Sequence, residues 1–133
     1  MQATILTVDD ERDVLELLRF HLERAGYRVL QATSGREALE LIRCQRPDLV
    51  LLDLMLPDID GFGICEMLRR SPETATLPII IVSAWARPDT RCLGLELGAL
   101  DYITKPFSPK NIVERVNRLL SLRPASVIAA GKR

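Results

Sequence analysis

The chain has 133 residues, which is enough for one domain and too few for two ordinary ones. Its hydrophobic content of 47% and charged content of 27% exclude the disordered, collagen-like and disulfide-scaffold classes. The 18 basic and 18 acidic residues cancel, so charge gives no reason to expect direct binding to nucleic acid or to an anionic membrane.

The start of the chain and its cysteines predict a cytoplasmic protein. The first residues lack the basic start and long apolar region of a secretory signal. Aliphatic runs such as Leu49–Leu52 are far shorter than the ~18 residues that suggest a membrane-spanning helix. Cys44, Cys65 and Cys92 are widely spaced and have no His or Cys neighbour at metal-ligand spacing, which predicts reduced, structural thiols.

The first predicted unit is a strand followed by an amphipathic helix. Residues 4–8 are rich in β-forming side chains and stop at an acidic pair. The apolar residues that follow recur at helical spacing, so they form one inward stripe. This stripe consists of Val14, Leu17, Leu18, His21, Leu22 and Ala25. Gly26 ends the helix.

A second strand and helix follow in the same order. Residues 27–32 predict the strand. Ser34 and Glu37 have the spacing of a capping box, which opens the helix. Its predicted inward residues are Ala38, Leu39, Leu41 and Ile42.

Two uninterrupted aliphatic runs predict strands that are buried on both faces. They occupy residues 49–52 and 79–82, and neither alternates with polar residues. Between them, a helix capped by Asp60 is expected to run to Arg70. Its predicted inward residues are Ile64, Met67 and Leu68.

The last predicted elements are a weaker helix, a short strand and a final helix. They occupy residues 89–97, residues 101–104 and a segment from the Ser108 cap to about Leu122. The alternation of strands and helices implies an α/β fold with a parallel sheet, because parallel strands need helical crossovers. We expect a domain over residues 1–122, followed by a C-terminal tail or the start of a linker over 123–133.

Polar side chains follow the predicted strands at the points where they end. They are Asp9, Asp10, Asp53, Ser83 and Lys105. The carboxyl ends of parallel strands share one edge of the sheet, and ligands bind at that edge in open α/β folds. Carboxylates brought together repel one another unless a cation neutralises them. Because no His or Cys ligand accompanies them, the expected metal is Mg²⁺ rather than zinc.

Asp53 is the candidate nucleophile at this edge. A carboxylate beside Mg²⁺ and a lysine can attack phosphorus and form an aspartyl phosphate. The hydroxyl of Ser83 and the ammonium of Lys105 would then donate to the new phosphoryl oxygens, in hydrogen bonds that exist only after phosphorylation. This differential contact is the predicted trigger of a switch.

Several segments together resemble the receiver domain of bacterial two-component response regulators, over about residues 4–122. They are Val-Asp-Asp-Glu at 8–11, Leu-Leu-Asp-Leu-Met-Leu-Pro at 51–57, Asp-Gly at 60–61, Val-Ser-Ala at 82–84, Gly-Ala at 98–99 and Asp-Tyr-Ile-Thr-Lys-Pro-Phe at 101–107. The family implies a flavodoxin-like, doubly wound (βα)5 fold whose five parallel strands have the order 2-1-3-4-5. It also implies a regulatory domain that catalyses only its own phosphoryl transfer and autodephosphorylation, and so is not an enzyme in the usual sense.

The resemblance implies a role for each residue at the predicted edge. Asp53 would accept a phosphoryl group from the phosphohistidine of a sensor histidine kinase. Asp10 and Asp53 would bind Mg²⁺ directly, Asp9 would do so through water, and the backbone carbonyl of Met55 would be a further ligand. The Lys105-Pro106 peptide bond would be cis and aim the lysine into the site.

The resemblance also implies a moving surface and a partner. Tyr102 is similar to the family's switch aromatic, whose ring takes space that Ser83 vacates, so the face of the fourth helix, fifth strand and fifth helix has two arrangements. Arg91, Asp101 and Arg115 would supply part of a charged homodimer interface, as in regulators with a winged-helix DNA-binding output. That subclass usually has charges where this chain has Leu97, Leu100 and Asn111, so a more apolar contact or another output is also open. The output domain or partner protein would lie outside this chain.

Three other functions fit parts of the pattern. A haloacid-dehalogenase-type phosphohydrolase needs a second aspartate two residues after its nucleophile, where this chain has Met55. A flavodoxin-like electron carrier needs a phosphate-binding first loop, and the acidic pair at 9–10 would repel the FMN phosphate. A phosphorylation-independent interaction module with the same fold stays open, although the chain has lost none of the acidic or lysine site residues.

Overall fold

A computed structural model describes residues 2–122, so the tail predicted over 123–133 lies outside the described residues. The strands are β1 (Thr4–Val8), β2 (Arg28–Ala32), β3 (Leu49–Leu52), β4 (Ile79–Ser83) and β5 (Asp101–Thr104). The helices are α1 (Arg12–Arg24), α2 (Gly35–Gln45), α3 (Gly61–Arg70), α4 (Pro88–Glu96) and α5 (Pro109–Ser121). Among the described helices, none has the length and apolar composition that a bilayer crossing requires.

The strands pair in parallel in the order β2-β1-β3-β4-β5, which confirms the predicted α/β class and strand order. The sheet extends from β1 in both directions, with β2 on one side and β3, β4 and β5 on the other. β1 and β3 are therefore neighbours, although a strand and two helices separate them in sequence. Val8 lies opposite Leu52 in this pairing. The residues that follow these two strands therefore meet at one edge, at the point where the strand order reverses.

Alternate residues of the central strands enter two separate cores. Val50 and Leu52 point to the core that includes Ile64 and Leu68 of α3. Leu49 and Leu51 join the core on the opposite face, which is completed by residues of α1 and α5. Both faces of β3 are covered, and this burial explains why its sequence shows no polar alternation.

Two predicted helix faces are partly wrong. In α1, Leu17 is 42% exposed, and the buried residues are Leu15, Leu18 and Leu22. Ala25 is also exposed, and His21 is half-buried. In α3, Met67 is 48% exposed, whereas Cys65 is fully buried. Apolar residues on both helices fit two overlapping stripes at the spacing of three and four, and contact with the sheet selects one of them.

Helix α4 packs on the sheet through a glycine. Gly94 is its buried residue, and a Cβ added there would come within 2.6 Å of the Ile81 Cδ1 atom of β4. Leu93 and Leu95 of the same helix are exposed. The helix therefore approaches the sheet with its backbone and leaves large apolar side chains at the surface.

The cysteines differ in accessibility, so the prediction of structural thiols fits only Cys65. All three are free, but Cys44 and Cys92 are exposed. Iodoacetamide at about pH 8 is expected to modify the two exposed thiols and to leave Cys65 intact in the folded protein. Burial raises the pKa of Cys65 to about 11, and the thiolate is the reactive form.

Peptide mass mapping before and after denaturation measures this difference. All three cysteines should react once the chain is unfolded. Rapid modification of Cys65 in native buffer would contradict the buried position of its thiol.

Candidate functional site

Three carboxylates converge where β1 and β3 end. Backbone hydrogen bonds continue the pairing by one residue, because the Asp53 N–H donates to the Val8 carbonyl at 3.0 Å. Asp9 and Asp53 are buried, whereas Asp10 is exposed. Each of the three offers an oxygen that lies within 4.8 Å of the others. The switch point of the sheet therefore carries a compact acidic cluster.

Lys105 reaches this cluster from the loop after β5. Its Nζ atom donates to Asp9 Oδ2 at 2.7 Å and to Asp53 Oδ2 at 3.3 Å. Its backbone N–H donates to the Ser83 carbonyl at 2.9 Å, and the Lys105-Pro106 peptide bond is cis. The ammonium thus stands between two buried carboxylates.

Burial and the neighbouring charges shift the pKa values of Asp9 and Lys105 in opposite directions. Burial raises the pKa of Asp9 above its ordinary value, and the hydrogen bond from Lys105 offsets only part of that increase. Burial alone would lower the pKa of Lys105, but the hydrogen bond to Asp9 and the charge of Asp53 raise it. The lysine is therefore held in its charged form by the carboxylates that surround it.

Ser83 and Tyr102 lie on neighbouring strands and meet the same backbone segment. Ser83 is fully buried at the end of β4, and its Oγ accepts a hydrogen bond from the Trp85 N–H at 3.3 Å. Tyr102, on β5, is also buried, and its hydroxyl donates to the Trp85 carbonyl at 2.5 Å. Both side chains are therefore tied to one residue of the loop that follows β4.

An open cleft of about 520 Å³ lies over the acidic cluster. Its walls include Asp10, Asp53, Met55, Trp85 and Lys105. The Met55 N–H donates to Asp53 Oδ1 at 3.3 Å, so the backbone of this loop runs beside the Asp53 carboxylate. The cleft leaves one side of that carboxylate accessible to a ligand.

Comparison with known proteins assigns the chain to a family. Residues 5–117 match the family described as the response regulator receiver domain. The chain belongs to the response regulator receiver family. The chain is 45% identical over 120 residues to the alkaline phosphatase synthesis transcriptional regulatory protein PhoP of Bacillus subtilis, covering 90% of this chain and 49% of PhoP. It is 44% identical over 117 residues to the phosphate regulon transcriptional regulatory protein PhoB of Pseudomonas aeruginosa, covering 88% of this chain and 51% of PhoB.

A solved structure gives the same result for the fold. The putative response regulator from Chloroflexus aurantiacus superposes with a TM-score of 0.86 at 42% sequence identity, over 91% of this chain and 99% of that one. The chain spans about half the length of the curated relatives it matches. Receiver domains are regulatory domains rather than classical enzymes.

The acidic cluster of this receiver domain suits the Mg²⁺ that the family binds at such a pocket. Its donors are the carboxylates of Asp9, Asp10 and Asp53, and neither His nor Cys belongs to the group. Hard divalent cations prefer oxygen ligands, and Mg²⁺ needs only one or two carboxylates because it keeps several waters. Both the chemistry and the spacing of these oxygens therefore fit the ion.

The predicted dimer residues make contacts within the domain. Arg115 of α5 pairs with Asp101 of β5. The Arg91 guanidinium lies 5.6 Å from the centre of the Tyr102 ring and donates to the Tyr102 carbonyl at 3.3 Å. Leu100, on the same face, is 55% exposed. This face of the receiver domain therefore combines internally paired charges with apolar surface.

Two polar residues near the site were missed at the sequence level. Glu11 lies 3.5 Å from the Lys105 Nζ atom and adds a further carboxylate around the lysine. Its position directly after the acidic pair was the available signal. Asp58 contacts the start of α2, 22 and 23 residues away in sequence, and no local pattern predicts that contact.

Proposed function

We propose that this receiver domain is a phosphorylation-activated switch in which Asp53 accepts a phosphoryl group from a sensor histidine kinase. The supporting observation is the position of Asp53, a buried carboxylate held between Lys105 and two further aspartates at the mouth of an open cleft. Asp10 and Asp53 would bind Mg²⁺ directly, Asp9 would bind it through water, and the Met55 carbonyl would be a further ligand.

The transfer needs one bond to form and one to break. An Asp53 carboxylate oxygen supplies the electron pair of the new O–P bond, and the phosphohistidine nitrogen keeps the pair of the broken P–N bond. When bound, Mg²⁺ would neutralise negative charge on the carboxylates and on the phosphoryl group. Lys105, already 3.3 Å from Asp53, would donate to a phosphoryl oxygen and stabilise the charge that arrives.

The switch step would pass through the backbone of Trp85. If the Ser83 hydroxyl turns toward the phosphoryl group, it gives up the hydrogen bond from the Trp85 N–H. Tyr102 holds the carbonyl of the same residue, so a shift of this loop changes the position that the ring prefers. The α4-β5-α5 face then has two arrangements, and phosphorylation favours one of them.

The proposed output depends on a segment outside this chain. The domain would comprise residues 1–122, with 123–133 as a tail or the start of a linker. Two relatives are named as transcriptional regulatory proteins, which supports a role in transcription control. The domain would act in the cytoplasm without contacting nucleic acid or membrane directly, since its 18 basic and 18 acidic residues cancel. Homodimerisation through α4-β5-α5 would use Arg91, Asp101 and Arg115. Since Asp101 and Arg115 pair within one chain, they would have to exchange partners on dimerisation.

Intact-mass spectrometry after incubation with acetyl phosphate tests the proposal. The wild-type chain is expected to gain one phosphoryl group only when Mg²⁺ is present. Asp53→Asn should gain none, because the amide is not a comparable nucleophile. Asp13→Asn, which removes an exposed carboxylate on α1, should behave like wild type.

Two results would contradict the proposal. Equal phosphorylation of Asp53→Asn and wild type would place the acceptor elsewhere. No mass gain by a folded wild-type chain that binds Mg²⁺ would favour a phosphorylation-independent interaction module.

A further inference from the structure

The loop between β3 and α3 is hydrogen-bonded to α2, a helix that is not its neighbour in sequence. Asp58, in this loop, accepts hydrogen bonds from the backbone N–H groups of Gly35 at 2.7 Å and Arg36 at 2.9 Å. These are the first two residues of α2. The first turn of a helix has N–H groups without partners inside the helix, and a carboxylate there also interacts favourably with the helix dipole.

Helix α2 also has a local cap, which does not involve Asp58. Ser34 Oγ accepts from the Glu37 N–H at 3.2 Å, and the Glu37 carboxylate accepts from the Thr33 N–H at 2.7 Å. This arrangement is similar to a capping box, and it leaves the N–H groups of Gly35 and Arg36 to Asp58. The contact with Asp58 therefore serves both elements: it completes the cap of α2, and it adds a polar attachment to a loop whose Leu56 and Ile59 pack on the core.

Gly35 makes the close approach of loop and helix possible. A Cβ at this position would lie 2.9 Å from the Ile59 Cβ atom and 3.2 Å from Asp58 Oδ1. Gly35 has no left-handed backbone conformation, since Gly26 and Gly98 are the described glycines with positive φ. Space, rather than backbone freedom, is the reason that this position needs glycine.

The same loop includes Met55, whose backbone borders the acidic cluster. At its base, the Gly61 N–H donates to the Leu54 carbonyl at 2.9 Å. Met55 follows with an exposed side chain, and its N–H contacts the Asp53 carboxylate. Met55 lies between two attachments of the loop: the Gly61–Leu54 hydrogen bond and the contact of Asp58 with α2. These two attachments together restrict the path of the backbone at Met55.

We infer that Asp58 is a positioning residue for Mg²⁺, which acts by holding the Met55 backbone beside the acidic cluster through α2. The inference rests on the proposed role of the Met55 carbonyl and extends it to a residue that does not touch the ion. Groups that orient metal ligands from outside typically change metal affinity by about 10- to 100-fold when removed.

Titration with MgCl₂, followed by Trp85 fluorescence, measures the effect on binding alone. Trp85 is the single tryptophan of the chain and lines the same cleft. Asp58→Ala is expected to weaken Mg²⁺ binding by roughly tenfold. Asp58→Asn keeps one acceptor oxygen and should fall between Asp58→Ala and wild type. Gly35→Ala should also weaken Mg²⁺ binding, because the added Cβ on α2 would push the loop away from the helix.

Glu37→Ala is the matched control at the same helix end. It removes the hydrogen bond to Thr33 without touching the loop, so it should lower the melting temperature and leave the Mg²⁺ midpoint unchanged. If Asp58→Ala fails to fold, Asp58→Asn and Gly35→Ala decide the question.

Three results would overturn the inference. Folded Asp58 and Gly35 variants with the wild-type Mg²⁺ midpoint would show that the loop needs no such support. An equal loss of affinity in Glu37→Ala would assign the effect to helix stability. A wild-type chain that does not bind Mg²⁺ would remove the proposed metal site and this inference together, whereas the first two results leave the proposed function intact.

Discussion

Replacement of Lys105 by methionine is expected to lower the free energy of unfolding of the metal-free protein by about 3 kcal/mol. The lysine side chain is 14% exposed, and its partners Asp9 and Asp53 are 4% and 5% exposed. Methionine keeps much of the side-chain volume but leaves two buried carboxylates facing each other without a cation. Such unpaired buried charges are among the few changes that cost several kcal/mol.

The same variant should respond more strongly to Mg²⁺ than wild type does. A bound cation returns positive charge to the carboxylates, so the difference in unfolding free energy should narrow when Mg²⁺ is added. Urea unfolding in chelator and again in MgCl₂ measures both quantities. Lys110→Met, on the exposed side of α5, is the control and should stay within about 0.5 kcal/mol of wild type. Equal stability of the two variants in chelator would show that Lys105 does not neutralise the cluster.

Gly61→Ala is expected to destabilise the domain by about 2 kcal/mol, against the usual preference of helices for alanine. The added Cβ would lie 2.7 Å from the Asp53 carbonyl oxygen and 2.8 Å from the Leu54 Cα atom. Both are backbone atoms at the end of β3, so no side chain can rotate to relieve the overlap. The displaced residue is the candidate acceptor itself, and phosphorylation by acetyl phosphate should slow as well.

Gly63→Ala is the control for this effect, two residues later in the same helix. Its Cβ would meet the Ile59 Cγ2 atom at 3.4 Å, an ordinary contact. Because alanine is the better helix former, this variant should be as stable as wild type or more stable by up to about 1 kcal/mol. Chemical unfolding of both variants tests the contrast. A Gly61→Ala protein as stable as Gly63→Ala would mean that the backbone at Asp53 and Leu54 moves aside for the added Cβ with little loss of unfolding free energy.

The elements and the edge of the sheet could be predicted from sequence because they depend on local patterns. β3 occupies the predicted residues, and Ser34 and Asp60 cap the helices assigned to them. The strand order came from the family resemblance, since periodicity does not determine which strands are neighbours. Given that order, the positions of Asp9 and Asp53 after neighbouring strands predict that they lie together.

Long-range contacts could not be predicted in the same way. Arg69 of α3 donates to four backbone carbonyls, and one of them belongs to Gly98, 29 residues away. Asp58 likewise meets α2 across 23 residues. Nothing in the neighbouring sequence of either residue indicates its partner, because these contacts depend on how loops pass one another after the sheet has formed. The predicted inward face of α3 was also partly wrong, because it included the exposed Met67 and omitted the buried Cys65.

The contact of α4 with the sheet through Gly94 affects how much free energy is needed to displace this helix. Moving a helix normally requires large side chains to leave their packed positions, and each costs about 1.5 to 3 kcal/mol of burial. Gly94 is the buried residue of α4, so displacing this helix would withdraw none of its own fully buried side chains from the sheet. A hydrogen bond to a charged group contributes about 1.5 to 3 kcal/mol. One or two such bonds to a phosphoryl group on Asp53 would therefore be of sufficient size to favour one position of this helix over another.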